Sequence, residues 1–363
     1  MKLTIDKSQL NRKSKADCRV KSFIIALAME GLCYTPSEIL LDANAFDFDF
    51  VNINPHGTAI HTLLGVSSDL FEKFSENTGI NISHYSDRDD AEDLEIIYNA
   101  IRNGHCVIAV TDRYGLFRLL NPKIFRNISA NKHMTQHMIV IYGVDLEKKQ
   151  FLICEASSAI KKFHSVWIDI DKLNAVRECE FLGLGIKKDI YIIENTNGYI
   201  KPNFNEMLLL QINKLKNALS DNIPRLREFV AFFENNDKMN HTLERYLILQ
   251  SQVLAVTVGG FDKSQYFYRG DFLEIFSSIY AGKKKDDFIL QLFNIKNKWK
   301  NIVEQLINLS KGLDNEDIIK VWKQIILVAE NEFSFCENFI SEYNNINLKG
   351  GGKGGRIKRG SAY

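Results

Sequence analysis

The sequence predicts an α+β domain followed by an all-helical domain, and three observations support this division. Residues 1–195 give helical patterns first and then a succession of short apolar strands, without the βαβ alternation of a doubly wound sheet. Residues 196–203, TNGYIKPN, have the composition of a linker. Beyond this linker the apolar period is helical throughout. We therefore predict domains at residues 1–195 and 204–345, and a disordered tail in the basic, glycine-rich residues 346–363.

Composition and charge exclude several classes of protein. Of the 363 residues, 45% are hydrophobic and 25% are charged, as in ordinary globular proteins, and the formal net charge is +1. A nearly neutral chain has no electrostatic bias toward nucleic acid or a membrane surface. Neither a membrane-spanning run nor a signal sequence is recognisable, which predicts a cytoplasmic protein. The six scattered cysteines contain no CxxC pair, so we predict reduced thiols and no metal site.

The first predicted helix, residues 17–31, places a cysteine at its start. Apolar residues recur at helical spacing from Val20 to Ala28, Asp17 is a suitable N-cap, and Gly31 is a suitable terminator. Cys18 is then the first helical residue. Unpaired N–H groups and the positive end of the helix dipole favour a thiolate at that position.

The elements that follow alternate between short helices and strands. We predict a helix at residues 36–41 capped by Ser37, a strand or aromatic loop at the alternating FDFDF of residues 46–50, and irregular structure up to Gly65. Helices are then predicted at residues 69–78 and 89–103, strands at 80–85 and 105–112, and a polar connection from 113 to 132. In the second domain, helices are predicted at residues 204–220, 223–235, 240–258, 264–281, 286–311 and 315–345.

The pattern of residues 135–155 predicts a β-hairpin, which brings a histidine and a carboxylate near each other. Two apolar segments flank the turn at residues 145–149, with His137 at the start of the first strand and Glu155 at the end of the second. Antiparallel pairing brings these two ends together. Further strands are predicted at residues 164–170 and 181–194.

A thiol nucleophile needs a lowered pKa, a base and a group that orients the base, and three residues could supply these. We predict Cys18 as the nucleophile, His137 as the base and Glu155 as the orienting carboxylate. His133 is a rival for the base, but it precedes the strand. Asp145 is a rival acid, although aspartate is common in hairpin turns for reasons of turn geometry.

The order of a cysteine, a histidine on a strand and a later carboxylate is that of papain-like enzymes. Several segments also resemble one particular family. The Cys18 helix, GHCVIAVTDRY at residues 104–114, and QHMIVIYGVD at residues 136–145 followed by FLICE are similar to the butirosin biosynthesis protein H family. In the second domain, GGFDKSQYFYRGDFLEIF and NKWKNIVEQL resemble the helical region of the same family.

This resemblance implies a papain-like N-terminal domain, a helical C-terminal region, and acyl transfer from a carrier-protein thioester to an amine acceptor. The phosphopantetheine arm would come with the carrier protein, and the chain itself would need no cofactor. The sequence departs from the family pattern at Glu155, where an aspartate is usual. It also departs at Arg12, where papain-like enzymes place the oxyanion-hole glutamine, so Asn11 is our candidate for that role. A peptidase, a thioesterase and a non-catalytic binding module remain alternative hypotheses.

Overall fold

The computed structural model describes most of the chain, and its elements combine helices and sheet as the α+β prediction requires. The described residues are 1–4, 18–53, 60–66, 69–120, 136–155, 164–178, 180–181, 184–185, 188–234, 268–282, 284–309 and 315–350. No helix within these ranges is both long enough and apolar enough to cross a membrane.

The first part of the chain contains short helices and all of the described strands. The helices are α1 Cys18–Met29, α2 Pro36–Asp42, α3 Leu70–Thr78, α4 Asp90–Arg102, α5 Arg113–Leu120 and α6 Ile170–Arg177. The strands are β1 Phe46–Ile53, β2 Ile60–Val66, β3 Asn81–Tyr85, β4 Val107–Asp112, β5 Gln136–Asp145, β6 Gln150–Glu155, β7 His164–Asp169, β8 Glu180–Phe181, β9 Leu184–Gly185 and β10 Ile190–Asn195.

The second part consists of longer helices: α7 Phe204–Glu234, α8 Tyr268–Ile279, α9 Lys285–Leu309 and α10 Asn315–Gly350. The predicted helices at residues 204–220 and 223–235 form the single helix α7, which continues through Pro224. The predicted helix at residues 240–258 lies outside the described residues. Helix α10 extends to Gly350, so the first residues of the segment predicted as a disordered tail are helical.

One antiparallel sheet organises the first part. Its strand order is β3-β10-β4-β5-β6-β7, and a separate two-stranded sheet pairs β1 with β2. One face of the larger sheet packs against α1, with Met138 and Val140 of β5 in the same apolar core as Phe23. The opposite face packs against α4 and α6, with Ile139 in a second core. Alternating residues of β5 therefore contact helices on both sides of the sheet.

The N-terminal residues pair with β5 at a bulge, where only a glycine fits. Leu3 N–H donates to the Tyr142 carbonyl at 2.8 Å, and Lys2 forms a bridge with Gly143. The pairing of β5 with β6 shifts between Ile141 and Gly143. A Cβ on Gly143 would lie 2.9 Å from the Leu152 Cβ and 3.2 Å from the Met1 carbonyl oxygen. Any side chain at this position would therefore force the two neighbouring segments apart.

The strand β1 joins the two parts of the chain through amide side chains of α7. Gln211 accepts from the Phe46 N–H at 3.0 Å and donates to the Phe46 carbonyl at 2.6 Å. Asn222 accepts from the Phe50 N–H at 3.1 Å and donates to the Phe48 carbonyl at 3.0 Å. These contacts satisfy the backbone groups of β1 on the edge that does not face β2. Residues of both predicted domains share one apolar core.

Three local predictions are corrected by the structure. The cap of α2 is Thr35 and not Ser37, because Thr35 and Glu38 form a complete capping box. Part of the segment before Gly65 is strand β2 and not irregular structure. The polar connection predicted from residue 113 begins as helix α5, whose Gly115 N–H donates to Asp112 Oδ2 at 2.6 Å.

Asp42, the last residue of α2, has a buried carboxyl group. Asp42 has no exposed surface, and burial raises its pKa to about 7, with Glu38 acting in the same direction and Tyr34 and Lys201 opposing it. The native state therefore binds more protons than the unfolded chain between about pH 4 and pH 7. Ionisation of Asp42 opposes folding, and this penalty is complete above pH 7.

We expect Asp42→Asn to become increasingly stable relative to wild type as the pH rises. The amide cannot ionise, so the difference in unfolding free energy should move in favour of the variant by up to about 4 kcal/mol between pH 4 and pH 8. Urea unfolding of both proteins at these two pH values measures this change. If the difference in unfolding free energy between the variant and wild type is the same at both pH values, the pKa of Asp42 does not change on unfolding.

Candidate active site

The helix α1 places the Cys18 side chain at its N-terminal end. Cys18 is its first residue, and the helix ends before Gly31, whose φ of +79° lies in the left-handed region. The Leu32 N–H donates back to the Leu27 carbonyl at 2.9 Å and closes the last turn. The thiol is half-buried and therefore remains open to a reactant. The positive end of the helix dipole lies at this thiol.

The sheet brings His137 and Glu155 together, as the hairpin prediction requires. The His137 Nε2 and the Glu155 Oε1 are 2.7 Å apart, and the two side chains are 3% and 0% exposed. Glu155 thus reaches the ring, although the resemblance implied the shorter aspartate at this position. A buried carboxylate at this distance fixes the orientation of the imidazole and favours its protonated form.

The Cys18 thiol completes the group by hydrogen bonding to the His137 imidazole. Burial alone would lower the pKa of His137, but the adjacent Cys18 sulfur and the Glu155 carboxylate together raise it to about 9. Because Nε2 faces Glu155, we infer that Nδ1 is the nitrogen that meets the sulfur. At neutral pH the ring can therefore keep its proton while it faces the sulfur.

The buried cysteines lie in a different environment. Burial raises the pKa of the Cys154 thiol to about 12, and it also raises the pKa values of Cys106 and Cys336 above the ordinary range. Thiols of this kind are inert at neutral pH. Cys33 is exposed and free. Among the described cysteines, Cys18 is the one in contact with an imidazole.

Several side chains that the sequence analysis did not select support His137. The ring of Phe117, from α5, lies with its centroid 5.5 Å from that of His137. The Thr111 hydroxyl donates to the His137 carbonyl at 3.1 Å, and the Ser22 hydroxyl donates to the next carbonyl, that of Met138, at 3.1 Å. The sequence offered one signal for Ser22, since it follows Cys18 by one helical turn.

The remaining candidates are placed differently. Asn11, our prediction for the oxyanion hole, and His133, the rival base, lie outside the described residues. Asp145 accepts from the Lys148 N–H at 3.0 Å in the hairpin turn, which accounts for its presence there. Within the described ranges, no group of three or more histidine, cysteine, aspartate or glutamate side chains is arranged to bind a metal ion.

Comparison with known proteins gives one family. Residues 29–156 match the family described as butirosin biosynthesis protein H, N-terminal. No curated protein matches the chain. The matched segment contains His137 and Glu155 and begins eleven residues after Cys18. The resemblance predicted from the sequence is thus confirmed for residues 29–156, which are similar to the butirosin biosynthesis protein H N-terminal family.

Proposed function

We propose that this chain is a cysteine-dependent acyltransferase of antibiotic or other secondary-metabolite biosynthesis. The observation that carries the proposal is the contact of the Cys18 thiol with an imidazole whose far nitrogen is 2.7 Å from the Glu155 carboxylate. A half-buried cysteine at a helix N-terminus, packed against an antiparallel sheet that supplies histidine and acid, is the arrangement of papain-like enzymes. The family match supports this assignment of the fold and the biosynthetic role.

The proposed reaction has two steps with the same three residues. The Cys18 thiolate attacks the carbonyl of an acyl thioester carried on the phosphopantetheine arm of a carrier protein. The bond from the carbonyl carbon to the arm's sulfur breaks, and His137 gives its proton to the departing thiolate, which leaves as the free thiol. An amine then attacks the Cys18 thioester, gives a proton to His137, and displaces the thiolate. Glu155 keeps the ring oriented in both steps.

The oxyanion formed in each step needs hydrogen-bond donors. The N–H groups of the first turn of α1 are suitable, because they lie beside the Cys18 thiol at the positive end of the helix dipole. Asn11 remains our proposal for a side-chain donor. If water replaced the amine in the second step, the same residues would catalyse hydrolysis, so a thioesterase or peptidase is the alternative activity.

The test is an intact-mass measurement after incubation with an acyl thioester of N-acetylcysteamine. We expect wild type to gain the mass of the acyl group and Cys18→Ala to gain none, because no other described thiol faces an imidazole. Cys33→Ala removes the exposed cysteine and is the matched control, which should still be acylated. Acylation of Cys18→Ala to the wild-type extent would exclude Cys18 as the nucleophile.

The acceptor distinguishes transfer from hydrolysis. Addition of an amine to the acylated protein should shorten the lifetime of the adduct and give an amide product. Loss of the adduct at the same rate with and without amines, with a free acid as product, would favour the thioesterase. A wild-type protein that forms no adduct and whose Cys18 reacts with iodoacetamide no faster than an ordinary thiol would favour the non-catalytic binding module.

A further inference from the structure

The backbone that carries His137 lies past the last pair that the described residues form between β5 and β6. Among those residues, the register of β5 with β6 runs from Asp145 opposite Gln150 to Val140 opposite Cys154. His137 precedes Val140 by three residues, so its contact with Glu155 is made by side chains past these pairs. On its other edge β5 remains paired with β4, where His137 lies opposite Thr111. Contacts with elements other than β6 therefore help to hold the start of β5.

The helix α1 supplies one of these contacts. The Ser22 hydroxyl is fully buried and donates to the Met138 carbonyl at 3.1 Å. Ser22 lies one turn after Cys18, and Met138 directly follows His137. This hydrogen bond thus connects the helix and the strand at the level of the thiol and the imidazole, and it fixes the distance between the two backbones that carry them.

The neighbouring strand supplies the other contact. The Thr111 hydroxyl is also fully buried, and it donates to the carbonyl of His137 itself at 3.1 Å. Two consecutive carbonyls of β5 are thereby held by hydroxyl groups from two different elements, α1 and β4. Both acceptors are buried, so loss of either hydroxyl removes a hydrogen bond from a buried carbonyl and lets the start of the strand move.

We propose that Ser22 and Thr111 are positioning residues that hold His137 against the Cys18 thiol. This inference rests on the proposed function, because it explains how the thiolate and the imidazolium are kept in contact. A shift of a few tenths of an ångström at the start of β5 would lengthen the contact of the ring with the sulfur. The thiolate would lose part of its stabilisation, and Cys18 would behave more like an ordinary cysteine.

The test is the pH dependence of Cys18 alkylation by iodoacetamide, measured by peptide mass spectrometry in the full chain with Cys33→Ala as background. We expect the rate in this background to inflect well below the ordinary thiol value of about 8.5. Ser22→Ala should move the inflection to a pH about 1 higher, so that the rate at pH 6 falls about tenfold. Above the inflection the two rates should converge, since both thiols are then ionised.

Further variants separate positioning from a general loss of stability. Thr111→Val keeps the shape of the buried side chain, removes only the hydroxyl, and should move the inflection in the same direction. Ser22→Thr restores a hydroxyl and should return the inflection toward wild type. Ser75→Ala is the matched control, because Ser75 donates a similar hydrogen bond to the Ile80 carbonyl at 2.6 Å on α3. It should lose stability without a change in the inflection.

Two outcomes would overturn the inference, and they differ in what else they exclude. If the Cys33→Ala background inflects at low pH and neither Ser22→Ala nor Thr111→Val moves that inflection, the hydroxyls do not position the pair, while the proposed function is unaffected. If the background itself inflects near the ordinary thiol value, there is no stabilised thiolate to position. The proposed catalytic function then fails together with this inference.

Discussion

Replacement of His137 by alanine should reduce the rate of Cys18 acylation by about 10²–10⁴-fold, the range expected for loss of a positioned acid–base group. The imidazole stabilises the thiolate and protonates the departing thiol, and alanine does neither. The rate is measured by intact mass after mixing with an acyl thioester, at several pH values. In wild type, the rate should also fall above about pH 9, where the ring loses its proton, since the pKa of His137 is raised to about 9.

The pH at which the acylation rate falls depends on the Glu155 carboxylate. Glu155 stabilises the protonated ring, so Glu155→Gln should lower the pKa of His137 and bring the fall in rate to a lower pH. A glutamine keeps the size of the side chain and can still accept a hydrogen bond. The change therefore removes the charge and leaves the packing of the pair in place.

The chain offers a matched control for the loss of His137. His105 also pairs with a glutamate, with its Nδ1 3.0 Å from the Glu30 Oε1, and it too is mostly buried. His105→Ala removes a similar imidazole–carboxylate pair at the other end of α1 and should leave the acylation rate within about twofold of wild type. Equal losses in His137→Ala and His105→Ala would attribute the effect to folding and would contradict a catalytic role for His137.

The meeting of these three side chains was predictable because each lies at the end of a strongly patterned element. The apolar period after Cys18 and the paired apolar runs around residues 145–149 fix where the helix and the hairpin begin and end. Register then places His137 and Glu155 on neighbouring strands. Ser22 was not predictable in this way, since its acceptor lies 116 residues away in the sequence.

The elements that the sequence analysis missed are those specified by tertiary contacts. Strand β2 is defined by pairing with β1, and its own residues show no clear alternation. The short helix α6 follows β7 directly and is held by its buried Arg177, which binds Asp93 of α4 through two nitrogens. Helix α7 is continuous across the predicted break after Ser220, where Gln211 on one side and Asn222 on the other bind the same strand β1. Local propensity does not report such contacts.

A buried ion pair connects the helical part of the chain to the sheet-containing part. The Arg269 Nε lies 2.6 Å from the Glu332 Oε1, and its Nη2 donates to the second carboxylate oxygen at 3.2 Å. The same Nη2 donates to the Asp47 carbonyl on β1 at 2.9 Å. The two side chains are 3% and 1% exposed. Arg269 thus binds helix α10 and strand β1 from helix α8.

We expect Arg269→Ala to lower the free energy of unfolding by about 3–5 kcal/mol, as when one partner of a buried ion pair is removed. The Glu332 carboxylate would be left in the core without its guanidinium, and the Asp47 carbonyl would lose a donor. Urea unfolding followed by circular dichroism measures this change. The charge-conserving Arg269→Lys should recover only part of the loss, because a lysine cannot reproduce the two-nitrogen contact with the carboxylate.

A second arginine that pairs with a glutamate of α10 tests whether burial is the cause of this loss. Arg227 of α7 pairs with Glu330 of α10, but its side chain is 62% exposed. Arg227→Ala should therefore cost at most about 1 kcal/mol. Because Arg269 also binds β1, its loss should weaken the helical part and the site-bearing part in one transition. The buried Cys154 should then become reactive toward an alkylating agent over the same urea range in which helicity is lost. Helix loss at a lower urea concentration than the exposure of Cys154, with no overlap, would show instead that the two parts unfold independently despite the core that they share.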